Sequence, residues 1–288
     1  LLIQTFTVVL NVVLDPLLIF GPWIFPRLEV QGAAIATVIA RVLSSSIAMV
    51  ILVSGRKGAK LTLANMKPNR KAIRQILKIG IPASIGQGVS ALGFTVLQGL
   101  VNSFGTATIA AFGVGNRIIS LFNMPAMGFS RATAVLVGQS LGAKDRPRAR
   151  LVVRQSVIVI AIFITAGMTF MFFRGAALVR FFVDDPEVLV LGASLFRIVS
   201  VGVIFFALFT VLTGALQGAG DTKPVMYLNL ARLWVLRVPV AYLLGKVLDF
   251  GPDGVWYAML ISNLLTAAAG FIIVRRGKWE STIDPDEI

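Results

Sequence analysis

Neither cysteine nor histidine occurs among the 288 residues. Their absence removes disulfide frameworks, the usual zinc sites, thiol nucleophiles and His-based triads from consideration. It also leaves the redox compartment unmarked. Acids are scarce, 13 Asp and Glu against 27 Lys and Arg, which gives a net charge of +14. A soluble nucleic-acid binder of that charge spreads its basic residues over a polar surface. Here only 14% of residues are charged and 57% are apolar, against about 25% and 45–50% in soluble domains. Too little polar sequence is present to build such a surface, so the composition points to an integral membrane protein with no nucleic-acid partner.

What is abundant is long apolar sequence. A helix crossing the hydrocarbon core needs about 20 largely apolar residues. Windows of that width predict eight spans, over residues 1–20, 32–53, 79–103, 108–141, 151–173, 188–216, 225–247 and 254–274. None of the segments alternates with period two, so a β-barrel is not expected. The first span lacks a basic leader and a small-residue cleavage site, and it is expected to begin inside a longer protein and not to be a signal peptide.

Basic residues accumulate in short cytoplasmic loops. With every span crossing once, sixteen fall on one side, from Arg56–Lys78, Lys144–Arg150, Lys223 and Arg275–Lys278. Only Arg27, Arg174, Arg180 and Lys246 fall on the other, together with six acids. The C-terminus is therefore predicted to be cytoplasmic, in a multi-pass protein of the cell membrane.

Two stretches repeat. Asp15-Pro16 through Gly21 leads to Gly32-Ala33-Ala34, and Val238-Pro239 through Gly245 leads to Gly254-Val255-Trp256. Such repeats are common in transporters. This one divides the chain into residues 1–54 as the end of an amino lobe, 55–78 as a basic linker, 79–274 as a complete six-helix carboxyl lobe and 275–288 as a tail. It predicts a parent of twelve spans with four upstream.

Asp15 is the only acid within a span, and Asn11 lies one turn away on the same face. Thr37 of the next span can add a hydroxyl. Intramembrane ionisable groups are functional candidates by default, and this set suits a proton or a hard cation such as Na+. Asp15 capping a broken helix, or pairing with a buried Arg, is the competing reading. Ala83, Gln87, Ala91, Thr95 and Gly99 recur at four-residue spacing, a pattern that predicts close helix packing for the small residues. Gln87 and Gln98 are expected either to bond between helices or to line a cavity. Pro125 predicts a kink or break in the fourth span, flanked by Asn116, Arg117, Asn123, Met124 and Met127. Of the intramembrane arginines, Arg197 is expected to snorkel, while Arg232 and Arg237 are candidates to face water or a substrate. No P-loop is present, and Gly218–Lys223 reads as a tight turn because its glycine spacing is wrong.

Taken jointly, Leu10–Gly21 with Gly32–Thr37, Lys78–Pro82, Gly138–Ala143 and Gln217–Thr222 resemble the multidrug and toxic-compound extrusion (MATE) transporters. The resemblance implies an all-helical fold of two six-helix lobes around a central cavity, with this chain holding the last two helices of the first lobe and all of the second. It implies a secondary antiporter, not an enzyme, that exports amphipathic or cationic small molecules in exchange for H+ or Na+, as a monomer and without a cofactor. Asn11 and Asp15 match an amino-lobe cation site in some members, with Thr37 as a further match. The helix-seven and helix-ten acids of other members have no counterpart, which favours the amino-lobe branch. Gln87, Gln98, Asn116, Arg117, Asn123, Met124 and Arg237 are the candidate cavity residues. The alternatives are a lipid-linked-precursor flippase of the same superfamily, which would gather Arg117, Arg131, Arg232 and Arg237 in that cavity, a channel, or an inactive fragment.

Overall fold

The computed structural model describes residues 2–21, 27–55 and 69–281. The linker basics Arg56, Lys57, Lys60 and Lys67 and the last seven residues of the tail lie outside the described residues. Eight long helices follow in order: α1 Leu2–Phe20, α2 Glu29–Ser54, α3 Arg70–Asn102, α4 Thr106–Gly142, α5 Arg146–Arg180, α6 Pro186–Gly218, α7 Thr222–Val247 and α8 Pro252–Arg275. Among the described residues there is no strand. Seven helices are long and apolar enough to cross a membrane; α4 is the longest but its apolar run is interrupted, where Asn116, Arg117, Asn123 and Arg131 fall within it.

The chain divides into two compact units at Arg70. The first is the α1–α2 hairpin. Small residues Gly32, Ala36, Ala40 and Ser44 are the buried positions of α2, a four-residue repeat that lets two helices approach closely without a hydrophobic driving force. At Gly32 the approach is backbone to backbone, since a Cβ there would lie 2.2 Å from the Leu18 carbonyl oxygen. That carbonyl accepts from Leu28 N at 3.0 Å, which satisfies one orphan group at the end of α1.

In the second unit α6 runs through the core, packed by α4, α5 and α8. Glycines set the spacing: a Cβ at Gly115 would meet Leu195, at Gly192 Val179, and at Gly218 the Ala134 carbonyl oxygen at 2.2 Å. Phe112 stacks on Trp256 with ring centroids 5.4 Å apart, at the heart of this core. The α4–α5 and α6–α7 turns are built alike. Asp145 N donates to Ser140 O and Asp221 N to Leu216 O, both at 2.9 Å, with Lys144 (φ 60°) and Gly220 (φ 73°) left-handed. This is the Schellman pattern, and it makes Gly218–Lys223 the tight turn its spacing implied.

Four expectations change. Residues 70–78 belong to α3 and not to a linker. The tail does not simply trail away: Lys278–Ser281 form a 3-10 turn in which Trp279 and Glu280 are buried. Pro125 lies inside a continuous α4, whereas α7 contains two π-helical segments, Ala231–Arg237 and Leu243–Val247, on either side of Pro239. A proline lacks the N–H and crowds the carbonyl four residues back, which for Pro239 is Val235 in the first of these segments; such segments recur at functional sites. Finally, the packing face of α3 is not the stripe through Gln87. Gln87, Ala91, Thr95 and Gly99 are exposed in this unit, while Gly86 and Gly93 meet Met226 and Leu233 of α7. An i+4 row drifts around the helix, and the seven-residue step from Gly86 to Gly93 stays on one face.

Candidate functional site

The α1–α2 hairpin brings Asn11, Asp15 and Thr37 together. Asn11 Nδ2 donates to Asp15 Oδ1 at 3.2 Å and lies 3.5 Å from Thr37 Oγ1. Thr37 Oγ1 in turn donates to Ala33 O at 3.0 Å. One turn back along α1 and two turns on along α2, Thr7 Oγ1 is 2.5 Å from Ser44 Oγ. Asn11, Thr37, Thr7, Ser44 and Arg41 line a cavity of about 550 Å³ between the two helices, with Gln4 at its rim. Asp15 sits one turn from Asn11, half-buried, next to this cavity and not among its lining residues.

The chemistry follows from donors and acceptors. An ionised carboxylate only accepts, and the Asn11 amide N–H meets that need. Asn11 thus contacts both the carboxylate of α1 and the hydroxyl of α2. Sequence reasoning missed Thr7, Ser44 and Arg41; the Gly32-Ala36-Ala40-Ser44 repeat was the available signal for the α2 face that carries Ser44.

The candidate cavity residues of the second unit separate into two groups. Gln87, Asn116, Arg117 and Met124 are exposed, and Gln98 and Asn123 are half-buried. Gln98 Nε2 donates to Asn102 Oδ1 at 2.9 Å, within α3. Asn116, Asn123 and the pair Arg117, Met124 each repeat at seven residues, so they form one face of α4.

Arg237 does not belong with them. It is 2% exposed, donating from Nε to Ser262 Oγ at 2.9 Å and from Nη2 to Asn263 Oδ1 at 2.5 Å. Its guanidinium also lies 5.9 Å from the Phe94 ring centroid. The π-helical widening of α7 turns this side chain into the lobe, where neutral oxygens and a ring face take the place of water. Arg232, one turn earlier, is 4% exposed and sits over Phe206 and Phe209 at 5.0 and 5.1 Å. Its Nε and Nη1 have no hydrogen-bond partner. No cluster of three or more acidic, His or Cys ligands occurs among the described residues.

Comparison with known proteins places these helices. Residues 82–243 match the MatE family. The chain is 29% identical over 94% of its length to a probable multidrug resistance protein NorM of Thermotoga maritima, covering 58% of that protein. It is 30% identical over 96% of its length to a probable multidrug resistance protein YpnP of Bacillus subtilis, covering 60% of it. A crystal structure described as MATE in the straight conformation superposes over 96% of this chain and 61% of that one, with a TM-score of 0.86 at 24% identity. The chain thus spans about three-fifths of the length of the curated relatives it matches.

Proposed function

This chain belongs to the MATE family of membrane transporters, and from that premise we propose that it exports drugs or organic cations in exchange for H+ or Na+ by alternating access. The observation that carries the coupling assignment is the hydrogen-bonded set Asp15, Asn11 and Thr37. Among the described residues Asp15 is the only acid more than one turn inside a membrane helix. An unpaired charge in hydrocarbon is costly, so loading and unloading it is a natural way to bias two conformations. H+ or Na+ at Asp15 removes the charge assistance from the Asn11–Asp15 hydrogen bond and so loosens the amide that also contacts α2. The exposed polar face of α4 and Gln87 and Gln98 of α3 supply the surface for an amphipathic cation, with Met124 as the adaptable apolar contact.

The flippase alternative needs Arg117, Arg131, Arg232 and Arg237 in one cavity. Arg232 and Arg237 are buried inside the lobe, while Arg117 and Arg131 are exposed, which favours the antiport reading over it. We place the protein in the cell membrane as a monomer with the basic end of its second unit in the cytoplasm.

The test is gradient-driven efflux of a fluorescent cation by Asp15→Asn in the full-length protein. Transport is expected to fall to background at wild-type expression, with Thr37→Val intermediate. Unchanged efflux in Asp15→Asn would overturn the coupling assignment.

A further inference from the structure

At the basic end of the second unit, α5, α8 and the 3-10 turn enclose a groove of about 620 Å³. Its upper wall carries four guanidinium groups, Arg150, Arg154, Arg275 and Arg276. Its lower wall is apolar and includes Ile158 and Phe271, exposed by 47% and 54%. One carboxylate, Glu280, lines the groove, and it is already committed: Arg150 Nε and Nη2 donate to its two oxygens at 2.7 and 2.8 Å. Beside it Trp279 is 2% exposed, its Nε1 donating to Val274 O at 2.8 Å. The 3-10 turn therefore forms one wall of the groove, and three arginines are left without a carboxylate partner among the described residues.

We propose that this groove binds an anionic phospholipid, its phosphate between Arg154, Arg275 and Arg276 and one acyl chain along Ile158 and Phe271. The charge fixes the headgroup, because three guanidiniums lining one groove without a carboxylate partner among the described residues favour an anion and repel a zwitterion's ammonium. Guanidinium forks suit phosphate oxygens in particular. The apolar wall fixes the class of ligand: a free phosphate leaves Ile158 and Phe271 uncovered, whereas a lipid covers both. Basic pockets between membrane helices recognise anionic headgroups in this way. Arg154 lies eight residues into α5, about 12 Å below its first residue, between Val153 and the apolar run that begins at Val157. The site belongs entirely to the second unit and does not depend on the coupling assignment at Asp15.

The experiment is native mass spectrometry of the full-length protein from nanodiscs of equal phosphatidylglycerol and phosphatidylcholine. Wild type is expected to retain phosphatidylglycerol preferentially. Arg154→Gln/Arg276→Gln is expected to lose that preference by at least about ten-fold, on the basis of two surface arginines removed. Arg70→Gln/Arg74→Gln, equal in charge change but outside the groove, is expected to keep it. Should the groove variant fail to fold, wild type alone decides: the preference must fall steeply between low and high salt, and glycerol phosphate at matched concentration must not displace the lipid. Equal retention of both lipids by wild type, persistence in the folded groove variant, a salt-independent preference, or displacement by glycerol phosphate would each overturn the proposal.

Discussion

Buried arginines distinguish two situations that look identical in sequence. Arg237 has its donors met by Ser262 and Asn263, and Asn263 is itself held by Nδ2 donating to Gly202 O at 3.0 Å. Removing the acceptor strands a buried charge, so Asn263→Ala is expected to lower stability by roughly 2 kcal/mol, read as a fall in the thermal midpoint in detergent. Arg232 is the opposite case. Two of its guanidinium nitrogens already lack partners, and the rings of Phe206 and Phe209 are its main compensation. A side chain of similar length without those donors removes the desolvation cost and keeps the packing. Arg232→Met is therefore expected to leave the midpoint unchanged or raise it, and a large loss would show that the charge has an unseen partner. Sequence alone gave both residues the same standing, since burial depends on how α7 is wound and not on local composition.

Helix positions and order were legible because apolar length is a strong signal, and most boundaries needed shifts of only a few residues. What was not legible is register and curvature. Pro125 and Pro239 both interrupt apolar runs, yet only α7 widens. The small-residue stripe on α3 was read one face away from Gly86 and Gly93, because choosing among several small rows requires knowing the partner. The Asn11–Asp15 pair was readable, since it is local to one helix. Its link to Thr37 depends on the hairpin closing at Gly32, which has a direct test. A methyl group at Gly32 meets the backbone of Leu18 at 2.2 Å, and backbone there cannot yield as a side chain would. Relieving it requires the helices to separate by about 1 Å, more than a 3.5 Å hydrogen bond between Asn11 and Thr37 tolerates. Gly32→Ala is expected to abolish coupled transport, while Gly80→Ala, with nothing within 4 Å of its added carbon, is expected to be neutral in the same efflux assay.

At the scale of the second unit, charge is divided between the two ends of its helices. Within the second unit the ends of the helices are tied end to end. Thr222 Oγ1 donates to Ile79 O at 2.9 Å and Arg150 pairs with Glu280 at one end. At the other, Lys246 Nζ donates to Ser103 O at 3.3 Å and Ser194 to Asp253 at 2.5 Å. The first end carries the clusters of α3, α5 and α8, and the second carries Asp184, Asp185, Glu187, Asp249 and Asp253. An insertion machinery that retains positive loops in the cytoplasm thus has one clear answer for this unit. These 288 residues contain no cysteine, so an introduced thiol is the only one among them, and the unsubstituted full-length protein gives the labelling background. Lys223→Cys and Asp184→Cys place it at exposed positions on opposite ends. In intact cells a membrane-impermeant maleimide is expected to label Asp184→Cys and spare Lys223→Cys, and inside-out vesicles should reverse the pattern. Labelling of Lys223→Cys in intact cells would invert the topology and put the arginine groove on the outer leaflet.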